Sequence, residues 1–162
     1  VNSAWERCIF LAAKMIRAVV DTLVFVRGTL SASGGSASIV LAFKQRRFLL
    51  LTSREHMEEI FHTLGYPRLR RKHALSNRGC KKLVGQISLR GIVLSPRGVL
   101  DLCRDPDDNY LIEMALLGHA DYLVTEDADL LEDPAIVRFL GERGVRVVRI
   151  AEFVRGLSEP AA

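Results

Sequence analysis

Cys103-Arg104-Asp105-Pro106-Asp107-Asp108 and His119-Ala120-Asp121-Tyr122-Leu123-Val124-Thr125-Glu126-Asp127-Ala128-Asp129-Leu130-Leu131 together decide the fold class. Acidic residues stand just before an apolar helical segment and just after a short apolar strand. In a parallel α/β sheet both kinds of position face the carboxyl edge of the strands, where ligands bind. Two clusters of carboxylates meeting at one edge point to a metal site, whose other half must come from elsewhere in the chain.

Upstream, residues 16–20 are short, β-branched and nearly all apolar, as in a buried parallel strand. Asp21 follows at once, and a charge there costs burial energy unless it is paired, caps the next turn or binds a cation. Residues 31–36 read as a loop, with Ser36 as N-cap of a helix over 37–46 that ends in Lys44, Arg46 and Arg47. Residues 48–51 form a second strand. Thr52-Ser53 then caps a helix with Met57, Ile60, Phe61 and Leu64 at helical spacing, ended by Gly65 and Pro67. Ser76 opens a helix to about Arg90, and residues 92–94 make a third strand. Asp107 or Asp108 starts the helix that Gly118 closes, followed by a strand over 122–125, a helix near 135–142 and a fifth strand over 145–150. This alternation predicts an α/β fold: a single-domain parallel β-sheet sandwiched by α-helices, three-layered and Rossmann-like.

The 162 residues suit one domain, and 49% hydrophobic with 26% charged residues is ordinary globular composition. A net charge of +4 beside locally clustered acids suits an anionic partner approaching a metal site. Cys8, Cys80 and Cys103 are odd in number and widely spaced, which reads as reduced thiols in a cytoplasmic protein, without zinc or disulfides. No apolar run approaches the ~18–20 residues that span a bilayer. Met15 stands immediately before the first strand, so the domain is expected over 15–156, with 157–162 a C-terminal tail. Residues 1–14 are then an over-long start or an N-terminal helix over 4–13; they lack the cleavage site of a secretory signal.

The acids at strand ends and helix starts are Asp21, Asp108, Asp127 and Asp129, with Glu58 or Glu59 on the second helix of the alternation. Two carboxylates ~4 Å apart repel by about 4 kcal/mol at an effective dielectric near 20, and a hard divalent cation relieves that repulsion. All-oxygen ligands favour Mg²⁺ or Mn²⁺ over zinc. No Ser-His-Asp ordering, Walker motif or G-x-G-x-x-G competes. A phosphoacceptor or phosphohydrolase would want an Asp-x-Asp after the first strand, which Asp21-Thr22-Leu23 lacks. His56, His62, His73 and His119 read as surface or packing residues, Cys103 as apolar filler, and Asp105 and Asp107 as turn and cap residues.

The chain resembles the PIN domain, and within it the toxins of bacterial or archaeal toxin–antitoxin pairs. The resemblance spans about residues 15–156. It is carried by Arg104-Asp105-Pro106-Asp107-Asp108, Ala120-Asp121-Tyr122-Leu123-Val124-Thr125, Asp127-Ala128-Asp129-Leu130-Leu131, Val20-Asp21-Thr22 and Thr52-Ser53 with Glu58-Glu59. It implies an endoribonuclease using one or two Mg²⁺ or Mn²⁺ ions, a cognate antitoxin protein and a homodimer. The family's first, third and fourth acids fall on Asp21, Asp108 and Asp127, with Asp129 auxiliary and Thr125 a polar neighbour. Spacing to Leu64 and Pro67 puts the second on Glu59; the apolar stripe favours Glu58 instead, as the alternate. Arg68, Arg70, Arg71 and Lys72, or Arg46 and Arg47, would hold the RNA backbone. One departure stands out: the family's Asp-Thr-Asn-Val reads Asp21-Thr22-Leu23-Val24 here. Losing an orienting amide can cost about 10–100-fold in metal affinity or activity. The alternative is therefore a catalytically impaired PIN-fold module that binds RNA or protein.

Overall fold

A computed structural model describes residues 15–158. Five parallel strands, β1 (Arg17–Val20), β2 (Leu49–Ser53), β3 (Ile92–Leu94), β4 (Tyr122–Val124) and β5 (Arg146–Val148), form one sheet in the order β3-β2-β1-β4-β5. The chain walks outward from β1 to β3, then crosses back to place β4 on the other side of β1. The β1/β4 seam is thus the topological switch point, where an α/β sheet opens its ligand crevice.

Alternate strand residues serve two cores, as a period of two requires. Ala18, Val20, Leu50, Val124 and Val148 pack with α1 (Thr22–Leu30), α2 (Gly35–Lys44), α3 (Arg54–Leu64) and α5 (Asn77–Arg90). Val19, Leu51 and Leu123 face the opposite layer, α6 (Asn109–Leu117), α7 (Ala128–Leu131) and α8 (Pro134–Gly141). The expected three-layer architecture is borne out. Between α3 and α5 lies the short α4 (Pro67–His73), and α9 (Ile150–Ser158) packs Phe153 against Phe48 and Tyr122.

Several boundaries differ from the sequence reading. The segment Thr22–Leu30 is helical although Val24, Val26 and Thr29 are poor helix formers, because the segment is buried on several sides and tertiary packing overrides propensity. Gly34, at φ 98°, rather than Ser36 precedes α2. At Gly28 a side chain would sit 2.1 Å from the Ser36 carbonyl oxygen, so this glycine permits the close crossing of α1 and α2. β5 stops at Val148, and α9 occupies Ile150–Ser158, part of which the sequence reading assigns to the strand. Residues 1–14, with their two expected readings, and 159–162 lie outside the described residues. Among those described, no helix is long and apolar enough to cross a membrane.

Candidate active site

The crevice at the β1/β4 seam is built from backbone outward. Pairing of Val20 with Val124 brings the ends of β1 and β4 level, and the Asp21 amide continues the ladder by donating to the Val124 carbonyl (2.9 Å). Asp21 then N-caps α1, accepting from the Leu23 amide (2.9 Å) on one oxygen and from the Thr125 hydroxyl (2.6 Å) on the other. Cap and site acid are therefore one residue in two roles. Thr125 is itself fully buried and accepts from the Asp127 amide (3.0 Å), so one hydroxyl ties the two strand ends together. Asp127 caps α7 by accepting from the Asp129 amide (2.8 Å), and Asp129 pairs with Arg104 at 3.3 Å.

Glu59 closes the crevice from α3. Its carboxylate accepts from the Thr22 hydroxyl (2.8 Å) and from the Tyr110 hydroxyl, linking α3 to α1 and α6. Glu58 turns outward, paired with Arg54 at 2.9 Å, its side chain 57% exposed. The apolar stripe misplaced these two because His56 is fully buried and belongs to the inward face. His56 Nδ1 meets the Thr52 hydroxyl at 3.1 Å, while Nε2 has no hydrogen-bond partner. Burial pushes its pKa down to about 4 against a weaker upward pull from the Val20 carbonyl, so the ring is neutral near pH 7. It is a packing residue.

Asp108 ends the single 3₁₀ turn Pro106–Asp108 and leads into α6. Burial, then the charges of Asp127, Asp21, Asp105 and Glu59, push its pKa up to about 6. Asp21 is also raised: burial and the charges of Glu59 and Asp127 outweigh its two hydrogen bonds. The four acids, drawn from four separate parts of the sequence, thus share one electrostatic field. Tyr110 is raised by burial and by donating to Glu59, and stays a hydroxyl donor. Cys103, pushed up to about 11 by burial and then by Asp108, is unsuited to act as a nucleophile.

A divalent cation fits this chemistry: the donors are hard oxygens, and their mutual repulsion is the term a cation would relieve. Among the described residues no group of three or more His, Cys, Asp or Glu side chains is drawn together as a ready cage.

Two basic segments fall elsewhere. Arg46 and Arg47 lie between α2 and the start of β2, at the amino edge of the sheet, opposite the acids; Arg47 donates to the Leu157 carbonyl (2.7 Å) and braces α9. Arg68, Arg70, Arg71 and Lys72 lie on α4, where Arg70 is held by Asn77.

Sequence reasoning missed Asn109 and Glu113. The Asn109 side chain accepts from the Leu102 and Cys103 amides (2.9 and 3.0 Å) and fixes the approach to Asp108. Glu113 is buried and accepts from the amides of Arg97, Gly98, Val99 and Leu100 at 2.6–3.0 Å. Burial raises its pKa, but the four amides outweigh that and leave it below the usual range. A lone Glu inside Leu111-Ile112-Glu113-Met114-Ala115 was the available signal.

Comparison with known proteins agrees with this geometry. An uncharacterized protein of Methanocaldococcus jannaschii is 29% identical over 116 residues, covering 72% of this chain and 74% of its own length. No solved structure gives a significant match. The family model described as PIN domain matches residues 17–129, from β1 into the first turn of α7, and so takes in every acid of the crevice. With most of its length and its whole acidic seam inside that match, the chain belongs to the PIN domain family.

Proposed function

We propose that this protein is a divalent-metal-dependent endoribonuclease that hydrolyses RNA phosphodiester bonds, and that it acts in the cytoplasm as the toxin of a toxin–antitoxin pair. The observation that carries this reading is the shared field of Asp21, Glu59, Asp108 and Asp127 at the switch-point crevice, strong enough to lift Asp108 to about 6. These four are the proposed metal-holding and catalytic set, with Asp129 and Thr125 auxiliary. Bound there, Mg²⁺ or Mn²⁺ would supply Lewis-acid activation of water and neutralise charge developing on the phosphate.

The chain's own residues supply orientation. Thr125 and the Leu23 amide fix both oxygens of Asp21, and Thr22 and Tyr110 fix Glu59. Because a backbone amide, not the side chain at 23, holds Asp21, replacing the family's Asn with Leu23 leaves that orientation intact. This favours an active enzyme. The Leu23 side chain, 54% exposed, is what motivates the rival reading of a non-cleaving RNA- or protein-binding module.

Incubating purified protein with RNA and Mn²⁺ tests the proposal. Cleavage is expected, abolished by EDTA and by Asp108→Asn. Cleavage that survives both would refute the metal mechanism, and RNA retained but never cut would establish the rival. The toxin role predicts that expression arrests growth and that a neighbouring small reading frame relieves the arrest.

A further inference from the structure

Charge is distributed unevenly along this chain. Residues 22–54 contain five Lys or Arg and residues 60–100 contain nine, and neither segment contains a single Asp or Glu. These segments supply α1, α2, α4 and α5, while the acids of the same layer lie on α3 and α9. Among the described residues, ion pairs are confined to Arg54–Glu58 on α3 and to residues 104–152, so no cation of α1, α2, α4 or α5 takes part in one.

Among the acid-free helices α1, α2 and α5 a cleft of about 560 Å³ opens, lined by Thr29, Lys44, Lys82, Gln86 and Arg90 with Gly79 and Leu83. The Arg90 Nη1 donates to the Lys44 carbonyl (3.0 Å), which anchors the guanidinium beside the cleft. Beyond Arg90 a second cleft of about 210 Å³ continues past Arg46. Lys44, Lys82 and Arg90 thus line one cleft, and Arg90 is shared with the second, which Arg46 also lines; neither lining contains a carboxylate. Lys44, Arg46 and Arg90 sit at the amino edge of the sheet, opposite the acidic crevice. Closely spaced cations with no compensating acid raise the local potential and repel one another, an arrangement that a polyanion relieves.

We propose that this groove binds the phosphate backbone of single-stranded RNA, as a second nucleic-acid interface separate from the acidic crevice. Among the described residues no exposed aromatic lines it, so it tracks phosphates without stacking bases and without reading sequence. The proposal rests on the ribonuclease reading only for the identity of the polyanion. Polar hydroxyl and amide groups from Thr29 and Gln86 complete a lining suited to phosphate oxygens.

The test is carried out in full-length Asp108→Asn protein, so that binding is read without cleavage. Anisotropy of a labelled, unstructured oligouridylate is followed between 50 and 200 mM salt (roughly the range over which phosphate contacts respond most). Lys44→Ala with Lys82→Ala, both exposed positions, is compared with Arg138→Ala on α8 combined with Arg143→Ala in the turn that follows it. Removing two phosphate contacts should make the log–log salt slope shallower by about 1.4 and weaken binding near 100 mM salt on the order of 10-fold. The arginine pair should leave both unchanged. A lysine pair that behaves like the arginine pair overturns the groove, and with cleavage intact elsewhere the nuclease reading survives. A changed slope, with no cleavage of RNA in Mn²⁺ by the protein that keeps Asp108, supports the groove and refutes the nuclease reading.

Discussion

Replacing Asp108 with Asn should stabilise the metal-free protein at neutral pH. Asp108 has a folded pKa near 6 against an ordinary value of 3.8, so the folded state holds this proton more tightly than the unfolded chain does. Its contribution to stability is fully present below about 3.8 and is lost as pH rises through about 6. At about 1.4 kcal/mol per pH unit the ceiling is on the order of 3 kcal/mol. Because the side chain is partly exposed, solvent screening reduces this to roughly 1 kcal/mol. The wild-type curve alone cannot isolate the effect. His56 works in the other sense, its folded pKa of about 4 lying below 6.5, so its contribution is present above 6.5 and lost as pH falls. Glu113, also depressed, loses its contribution in more acid solution. Both cancel in the difference between wild type and Asp108→Asn. Urea melts at a series of pH values in EDTA should give a difference that grows across pH 4 to 6 and is level above about 7, with the Asn variant the more stable. Adding Mg²⁺ at about 100 times its dissociation constant should then stabilise wild type by about 2.7 kcal/mol. A difference independent of pH, or an Asn variant less stable at neutral pH, would refute the shared-field account of the crevice.

Tyr110→Phe removes the hydroxyl that donates to Glu59, and should weaken Mn²⁺ binding measured calorimetrically by about 10-fold while leaving the melting temperature close to wild type. Glu113→Ala leaves the amides of residues 97–100 without their acceptor; hydrogen exchange there should rise sharply and global stability fall by about 1–3 kcal/mol. Gly28→Ala drives a methyl group into the Ser36 backbone and should cost at least about 1–3 kcal/mol in a denaturant melt, with α1 and α2 pushed apart.

The sequence was most legible where one physical signal spoke alone. Continuous apolar runs located β1, β3 and β4, because strands of a parallel sheet are covered on both faces and need no alternation. Ser76, Gly118 and Gly65 marked helix ends through local cap chemistry. α1 was unreadable for the complementary reason: its helix is imposed by burial, against its β-branched residues, and leaves no amphipathic period behind. The same limit affected Glu58 and Glu59, where a buried His56 registers as polar and rotates the apparent face.

What the sequence determined by itself is the α/β class, the parallel sheet and the set of acids at strand and helix ends. Those follow from periodicity and from the cost of placing charge beside a strand, both local in the chain. The tertiary structure alone decided that Glu59 faces Thr22 and Tyr110 while Glu58 faces Arg54, that Thr125 ties Asp21 to Asp127, and that Arg46 and Arg47 lie at the far edge from the acids. Each depends on which strands neighbour β1 and on the direction a helix turns from the sheet, and strand order is fixed by packing across the whole domain rather than by any one segment.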